Sequence, residues 1–563
     1  MKKMNCKKML ILAIAIFSCI SGMVAANNNE RGIDLYRAEL FDAAKIFFLE
    51  PANLSTQEQA ERYYYLGRVY FALQQVDSAA YYYERSIQTM PDFPFGYIGQ
   101  GKLALEQGDT KAADALFKKA IGLAKKDPSV QIAIAQVYIE AGMDKQANDA
   151  INAARKINRR YSGIYMAWGD MAMRDNDVGR ASSWYEQAIL FNPNDKLAHL
   201  RLAQVYRYVN PDEALRHLER LKAIDPNYIP AYAMIGDINR ERGMYNQALA
   251  AYEKFISIPG VPLLQHERFA QLLYFTDQFE RSLQEIERVL KQDPTNVVMH
   301  RLRAYNNYKL GNYALALEQM RSFLQTTPVD MHIYLDYMTY GRILLENKKP
   351  ELAIDAFEKA AKIDATPEVF RELIAAYNAM NDLPGVIKQW ERFFEVEQAP
   401  QSIDFFSFGQ ANYRAVSRFI SADYLSATLS PAQRAADDAE FQSFFAKGDA
   451  AFARVIELSP QSYLGYLWRA RLNSFIDFRE QSASGVMQGV AKPFFEEALT
   501  IMLANNEGGV RNADIIEAYR YLASYYILLD NKEEAGNYFK KILEVDPGNT
   551  MARDALNQLN IRF

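Results

Sequence analysis

The chain has 563 residues, half of them apolar, and a formal net charge of −5. This length exceeds the size at which one hydrophobic core stops growing, so the chain must form several domains or a repeat array. The mildly acidic charge gives no electrostatic reason to bind nucleic acid or anionic lipid. Glycine and proline are sparse, which argues against an all-β or disordered chain.

The first 26 residues have the pattern of a signal peptide. Four lysines among the first eight residues precede an apolar segment from Met9 to Ile20, which is too short to span a membrane. Val24-Ala25-Ala26 then supplies small residues before polar Asn27. We therefore expect cleavage after Ala26 or one residue earlier, and a periplasmic location for the exported chain.

Both cysteines, Cys6 and Cys19, lie inside this segment. The exported chain is therefore expected to have no disulfide and no cysteine-bound metal. One alternative stays open, because residues 16–19 (Ile-Phe-Ser-Cys) look like a lipobox, which would make Cys19 the lipidated start of an outer-membrane lipoprotein. Phe17 fits this alternative poorly, since a small residue is usual there. The intact mass of the mature protein distinguishes the two alternatives.

Three series of residues recur along the rest of the chain at a spacing close to 34. The first series consists of small residues: Gly67, Gly101, Ala135, Gly169, Ala203, Gly236, Ala270, Ala304, Gly341, Ala375 and Gly409. A second small residue follows the first nine of these about twelve positions later: Ala79, Ala113, Ala147, Ala181, Ala214, Ala248, Ser282, Ala316 and Ala353. Proline recurs near the unit ends: Pro91, Pro128, Pro193, Pro226, Pro259, Pro294 and Pro328. Three series in one phase indicate a tandem repeat.

Each unit is predicted to be a helical hairpin. In the unit that ends at Pro91, apolar residues from Tyr63 to Tyr70 follow the spacing of one helical face, and those from Ala79 to Ile87 follow another. Proline cannot lie inside a continuing helix, so each unit ends there. The small residues would let the two helices approach closely while aromatic side chains fill the space beside them.

This pattern resembles the tetratricopeptide repeat family, whose units have 34 residues with small residues at positions eight and twenty. The best single match is Leu522-Ala523, Tyr526, Ala535, Phe539 and Pro547. The resemblance covers the chain from about residue 30 to 547. It implies an all-α fold, a right-handed solenoid superhelix of about 13–14 helical hairpins. Residues 549–563 are predicted to form a capping helix.

The small-residue series is interrupted after Gly409, where the next members are Ala470 and Ala523. We therefore predict a regular array of about 11 repeats over residues 27–400 and a second segment over 401–563. The second segment would carry insertions at about 417–438 and 477–492. Ser430-Pro431 predicts the start of a long helix running toward Glu457, and the second insertion is predicted to be a loop.

No motif for catalysis stands out in the sequence. The five histidines, His199, His217, His266, His300 and His332, are read as lying in different repeats without a metal-ligand spacing. Gly96, Gly99 and Gly101 form the densest glycine cluster, but no strand is predicted before them. We therefore expect no enzyme activity, no cofactor and no metal.

The resemblance also implies a binding surface, because first helices line the concave groove in this family. Its groove positions are occupied here by Tyr64, Arg68, Phe71, Gln204, Arg207, Tyr208, Asp237, Arg240, Glu241, Arg301, Tyr305, Tyr308 and Lys309. Tyr and Arg are frequent at interface hot spots. The Lys and Asn set with which the family clamps a peptide carboxylate is not found.

These features predict a non-enzymatic scaffold or adaptor of the bacterial cell envelope that binds partner proteins or peptides. Its composition is similar to that of repeat proteins from Bacteroidetes, and it could associate peripherally with an outer-membrane complex. One alternative is a scaffold or glycan-binding factor in polysaccharide export or handling, with aromatic side chains as sugar platforms. Another is a lipoprotein assembly factor, anchored through Cys19, in the outer membrane.

Overall fold

The computed structural model describes residues 28–420, 429–484, 487–504 and 509–562. The predicted signal peptide, Cys19 and the middle of the first predicted insertion lie outside the described residues. The described part contains helices and turns and no strand. The predicted all-α repeat fold is therefore confirmed. The chain divides into two compact units, of which the first ends at Leu310 and the second begins at Gly311.

The first unit consists of eight hairpins and one further helix. Its helices are α1 (28–37), α2 (Phe41–Leu49), α3 (Thr56–Ala72), α4 (Val76–Thr89), α5 (Pro94–Glu106), α6 (Thr110–Leu123), α7 (Pro128–Glu140), α8 (Asp144–Ile157), α9 (Ser162–Arg174), α10 (Val178–Phe191), α11 (Lys196–Tyr206), α12 (Pro211–Ile224), α13 (Ile229–Glu241), α14 (Tyr245–Ile256), α15 (Leu263–Phe275), α16 (Phe279–Gln292) and α17 (Val297–Lys309).

The second unit has one helix, five hairpins and a terminal helix. Its helices are α18 (Tyr313–Thr326), α19 (Tyr334–Glu346), α20 (Pro350–Ile363), α21 (Pro367–Ala379), α22 (Leu383–Val396), α23 (Ser402–Ser417), α24 (Pro431–Leu458), α25 (Tyr463–Ser484), α26 (Lys492–Ala504), α27 (Asn512–Leu528), α28 (Lys532–Val545) and α29 (Thr550–Gln558). Ala552 and Leu556 of α29 are buried, as a capping helix requires.

As predicted, small residues let the two helices of a hairpin approach closely. A Cβ atom added at Gly169 of α9 would lie 2.3 Å from the ring of Tyr185 on α10. The same holds for Gly236 and Tyr252, at 2.3 Å. Each glycine therefore makes room for a buried aromatic ring of its partner helix, and this pairing sets the spacing of the hairpin.

The turns and helix starts also follow from local chemistry. Gly142, between α7 and α8, has a φ of +69°, a region that favours glycine. Pro128 is the first residue of α7, and the carboxylate of Asp127 accepts a hydrogen bond from the backbone N–H of Ser129. The Asp-Pro pair at this unit end therefore begins the next helix as well as ending the previous one.

The first hairpin, α1–α2, does more than cover the end of the array, because it also contacts the sixth and seventh hairpins. Lys196 of α11 is 2.5 Å from the carboxylate of Asp34 and 3.0 Å from that of Glu30. Arg201 of α11 is 3.7 Å from the carboxylate of Glu39. We call this contact, together with its apolar part below, the seam.

The apolar part of the seam is closely packed. Ile229 of α13 and Ile258, which follows α14, pack against the apolar core of the first hairpin. Gly260 lies so near Ala43 of α2 that an added Cβ would be 2.8 Å from the Ala43 backbone. The seam therefore joins the beginning of the first unit to its seventh repeat, and the first unit closes on itself.

In the second unit, the long helix predicted from Ser430-Pro431 is confirmed, since α24 runs from Pro431 to Leu458 with a capping box at Ser430. The predicted loop at 477–492 is wrong in its first half, because α25 continues to Ser484. Asp477 therefore lies in a helix and not in a loop, and its buried carboxylate accepts hydrogen bonds from the backbone N–H groups of Gly489, Val490 and Ala491. The change in repeat spacing near residue 400 falls inside the second unit.

Candidate functional site

A chamber of about 750 Å³ opens inside the first unit. Five consecutive first helices (α3, α5, α7, α9 and α11) line it, and the first hairpin borders it through Tyr36, Arg37, Glu39 and Phe41. The repeat supplies the walls, because equivalent positions of successive first helices face the same side of the array. The seam adds the wall that a simple stack of hairpins would lack.

Three charged side chains of different repeats meet on one wall of the chamber. Glu140 of α7 accepts hydrogen bonds from Arg68 of α3, at 2.9 Å, and from Lys102 of α5. Burial lowers the pKa of Lys102, although Glu140 opposes this. Burial disfavours the charged form of Glu140, but the two cations outweigh it and lower its pKa. One carboxylate therefore holds two cations.

The lining also carries a second charged group. The Tyr185 hydroxyl donates a 2.8 Å hydrogen bond to Asp170, whose carboxylate is 3.7 Å from the Nε of Arg201. Burial raises the pKa of Asp170. The Nε of Arg201 is buried and has no hydrogen-bond partner among the described residues. This group therefore holds an arginine whose Nε lies beside a carboxylate without a hydrogen bond.

Arg37 differs from the other cations of the chamber. It lines the chamber with an exposed side chain, and among the described residues it has no hydrogen bond and no ion pair. The carboxylates of Asp34, Asp195 and Glu61 act on its guanidinium electrostatically. Asp34 binds Lys196, and Asp195 caps α11 through the backbone N–H of Ala198.

Of the residues predicted for the groove, Arg68, Phe71 and Gln204 line the chamber. Tyr64 instead belongs to the apolar core, with 5% of its surface exposed. Whether a partner binds these residues stays a prediction.

Four other predicted residues join neighbouring repeats through ion pairs. Arg207 binds Glu241 at 2.6 Å and lies 3.4 Å from Asp237. Arg240 lies 3.6 Å from Glu241, and Arg268 of the next repeat lies 3.2 Å from Asp237. We call these five residues the charge ladder, and it connects α11, α13 and α15.

Tyr208 projects from the turn after α11, beside the charge ladder. It has 78% of its surface exposed, and the Arg207 guanidinium lies 5.2 Å from its ring centroid. The four remaining predicted residues lie on α17, where Tyr305 is 3% exposed, Arg301 and Tyr308 are half-buried and Lys309 is exposed. The predicted set therefore falls into four places on the first unit: the chamber, the apolar core, the charge ladder with Tyr208, and α17.

The sequence prediction did not include several residues that line the chamber. Lys102 and Asp170 each follow the small residue of their repeat by one position, as Arg68 follows Gly67. Applying the groove positions to every repeat would have found them, and Glu140 with them. Tyr36 and Arg37 could not be found in this way, because their place depends on closure of the seam.

Two histidines occur together, which corrects the prediction that all five lie in different repeats. His199 of α11 and His217 of α12 belong to one hairpin, and their Nδ1 atoms are 3.0 Å apart. The Nε2 of His199 lies 3.1 Å from the carbonyl oxygen of Pro193, and the Nε2 of His217 lies 3.3 Å from Glu213. Burial lowers the pKa of both imidazoles.

This pair predicts a loss of stability in mild acid. A lowered pKa means that the unfolded chain binds protons more readily, so the stability contribution is present above about pH 6.5 and is lost as the pH falls below it. The ordinary histidine pKa lies between about pH 5.5 and about pH 7.5. Between these two pH values, we expect the denaturation midpoint to fall more in the natural protein than in His217→Gln. His300→Gln is the control, which should fall as the natural protein does. An equal fall in all three proteins would contradict this role of the pair.

Among the described residues, no three His, Cys, Asp or Glu side chains are arranged to hold a metal ion. The helices in the described ranges also include none that is long and apolar enough to cross a bilayer.

Comparison with protein families gives several matches along the chain. Models described as "Tetratricopeptide repeat" match residues 60–93, 104–166, 229–260, 268–330, 337–367 and 517–549. The matches fall in both units.

Curated relatives are distant. Anaphase-promoting complex subunit 3 of Schizosaccharomyces pombe is 28% identical over 166 residues, which are 29% of this chain and 25% of that protein. Protein O-mannosyl-transferase TMTC1 of Homo sapiens is 23% identical over 226 residues, which are 39% of this chain and 25% of that protein. The chain thus spans about a quarter of the length of these relatives.

Among solved structures, the C-terminal part of a TPR repeat-containing protein from Cytophaga hutchinsonii is similar to this chain with a TM-score of 0.38. It is 24% identical, and the likeness covers 52% of this chain and 99% of that one.

Proposed function

We propose that this helical-repeat chain, which tetratricopeptide repeat models match in several places, is a non-enzymatic scaffold that holds partner proteins on the face formed by its first helices. The observation that carries this proposal is the shared surface of successive repeats. The charge ladder connects α11, α13 and α15, and Tyr208 projects beside it. A surface that many repeats build together suits a partner that contacts several of them.

Two features favour the outer part of this surface as the partner site. Tyr208 and Val209 are 78% and 75% exposed at the end of α11, and a large exposed aromatic beside an arginine is a frequent interface anchor. The ion pairs of Arg207 hold the turn in place, so the Tyr208 side chain is presented from a fixed base. A partner could therefore bind here at a small cost in ordering the surface.

We further propose that the scaffold works in the bacterial cell envelope and associates there with an outer-membrane complex. The support for this is the sequence pattern of residues 1–26, with its lysines, apolar segment and small residues. One curated relative is by name a subunit of a complex, which agrees with a scaffolding role and leaves the partner to experiment.

Tyr208→Ala tests the scaffold proposal directly. Truncation of a central aromatic anchor costs about 2 kcal/mol of binding free energy, so we expect a large loss of the proteins captured by crosslinking in intact cells and identified by mass spectrometry. Tyr81→Ala is the matched control, because Tyr81 is also exposed, at 57%, but lies on the second helix α4. Equal capture by the natural protein and Tyr208→Ala would contradict the proposal.

A further inference from the structure

We infer that the chamber of the first unit is a binding site for a compact organic anion, a molecule with one oxyanion group on an apolar or aromatic body. This goes beyond the scaffold proposal, which concerns the surface around Tyr208, outside the chamber lining. The inference rests on three properties of the chamber: its unused donors, its walls and its closure.

The first property is an imbalance of hydrogen bonding. The carboxylate of Glu140 is bonded to two cations, and that of Asp170 accepts from Tyr185. Asp195 accepts from Ser162 and from the backbone N–H of Ala198. Three of the four carboxylates that line the chamber therefore accept hydrogen bonds, and the fourth, Glu39, lies 3.7 Å from Arg201.

The principal free donor group is the guanidinium of Arg37, which lines the chamber and neither bonds nor pairs with any residue in the described ranges. The Nε of Arg201 also has no hydrogen bond there, but it is buried 3.7 Å from the Asp170 carboxylate. An arginine carries five N–H donors in a planar fork and stays protonated, so it suits an oxyanion. Arg37 is the principal anion-binding residue in this inference.

The second property is the composition of the walls. The rings of Tyr36, Tyr65 and Phe71 line the chamber on one side, and Ile132 and Met166 line it elsewhere. Such walls bury an apolar or aromatic body while a few polar groups fix its orientation. The charge would lie at Arg37 and the body against these side chains.

The third property is closure. The first hairpin borders the chamber, and the seam holds that hairpin against the sixth and seventh repeats. An extended peptide that ran along the first helices would meet this hairpin. A volume of about 750 Å³ lies within the usual range for small-molecule sites. The occupant is therefore a compact molecule.

Two dyes that differ in charge test the inference on the full chain. Anilinonaphthalene sulfonate carries an oxyanion on an aromatic body, and N-phenylnaphthylamine is its uncharged counterpart. We expect the natural protein to bind the sulfonate more tightly, as measured by fluorescence titration. In Arg37→Gln the sulfonate should bind about tenfold more weakly, since a charge-assisted hydrogen bond is lost, and binding of the uncharged dye should stay the same.

Two further variants test whether the effect on dye binding is specific to Arg37 and to the chamber. Arg180→Gln removes an arginine with 71% of its side chain exposed on α10, outside the chamber lining, and should leave both dyes unaffected. Gln136→Trp places a large side chain in the chamber and should weaken both dyes. Circular dichroism checks that each variant is folded.

The inference is overturned if Arg37→Gln binds the sulfonate as well as the natural protein does. It is also overturned if that variant loses both dyes equally, since the effect would then not depend on charge, or if Gln136→Trp binds both dyes normally.

Discussion

Asp477→Ala is expected to destabilise the second unit by about 3 kcal/mol, the scale for a buried charged group that satisfies several donors. Asp477 is fully buried in α25. Its carboxylate accepts hydrogen bonds from the backbone N–H groups of Gly489, Val490 and Ala491, at 2.7, 2.9 and 3.0 Å. The Tyr521 hydroxyl donates a fourth, at 2.5 Å. Alanine would leave these donors without a partner beside the start of α26.

Hydrogen exchange and chemical denaturation of the full chain measure this effect. Amides of residues 487–504 should exchange faster in Asp477→Ala, because the segment that leads into α26 loses its anchor. Tyr521→Phe removes one of the four donors and should cost about 1 kcal/mol. Glu497→Ala, which removes an exposed carboxylate from α26, is the control. If Asp477→Ala and Glu497→Ala behave alike, Asp477 does not hold this segment.

Gly260→Ala is expected to open the seam. Gly260 has a φ of +75°, and an added Cβ would lie 2.8 Å from the Ala43 backbone. Backbone atoms cannot move aside as a flexible side chain can, so the first hairpin must shift. We expect hydrogen exchange of residues 28–49 to become faster by about tenfold or more, since overpacking costs on the order of 1–3 kcal/mol.

A second glycine provides a matched control for this experiment. Gly243 has a similar φ of +71°, but nothing lies within 4 Å of its added Cβ. Gly243→Ala therefore carries the same backbone strain without the collision. If both variants leave exchange of residues 28–49 unchanged, the seam does not depend on Gly260. Faster exchange in both would attribute the effect to backbone strain instead of the contact.

Much of the fold could be predicted from the sequence, because the same local pattern of small and large residues recurs in many repeats. The pairing of Gly169 with Tyr185 is a contact between neighbouring helices, and the spacing of small and large residues shows it directly. The start of α24 at Pro431 was likewise visible, since capping depends only on adjacent residues.

Long-range contacts were not predictable in this way. The seam depends on the rotation of each hairpin relative to the preceding one. This small angle accumulates over seven repeats, and the sequence of a single repeat does not reveal it. The extension of α25 beyond Asp477 was missed for a related reason, because the donors that satisfy this carboxylate lie 12–14 residues further along the chain and on α27. An acidic residue near a glycine-containing segment looks like part of a loop until those donors are known.

The seam also affects the order in which the first unit can fold. Asp34 and Lys196 are separated by 162 positions in the chain, and contacts of such separation slow folding because a long loop must close before they form. During synthesis from the amino terminus, the first hairpin emerges long before the residues that it will contact. Its Leu35, Ala43 and Phe48 can pack on α3 at once, but its acidic side must stay in water until α11 arrives. The first unit is therefore completed late in folding, although the hairpin that completes it is the first one to be synthesised.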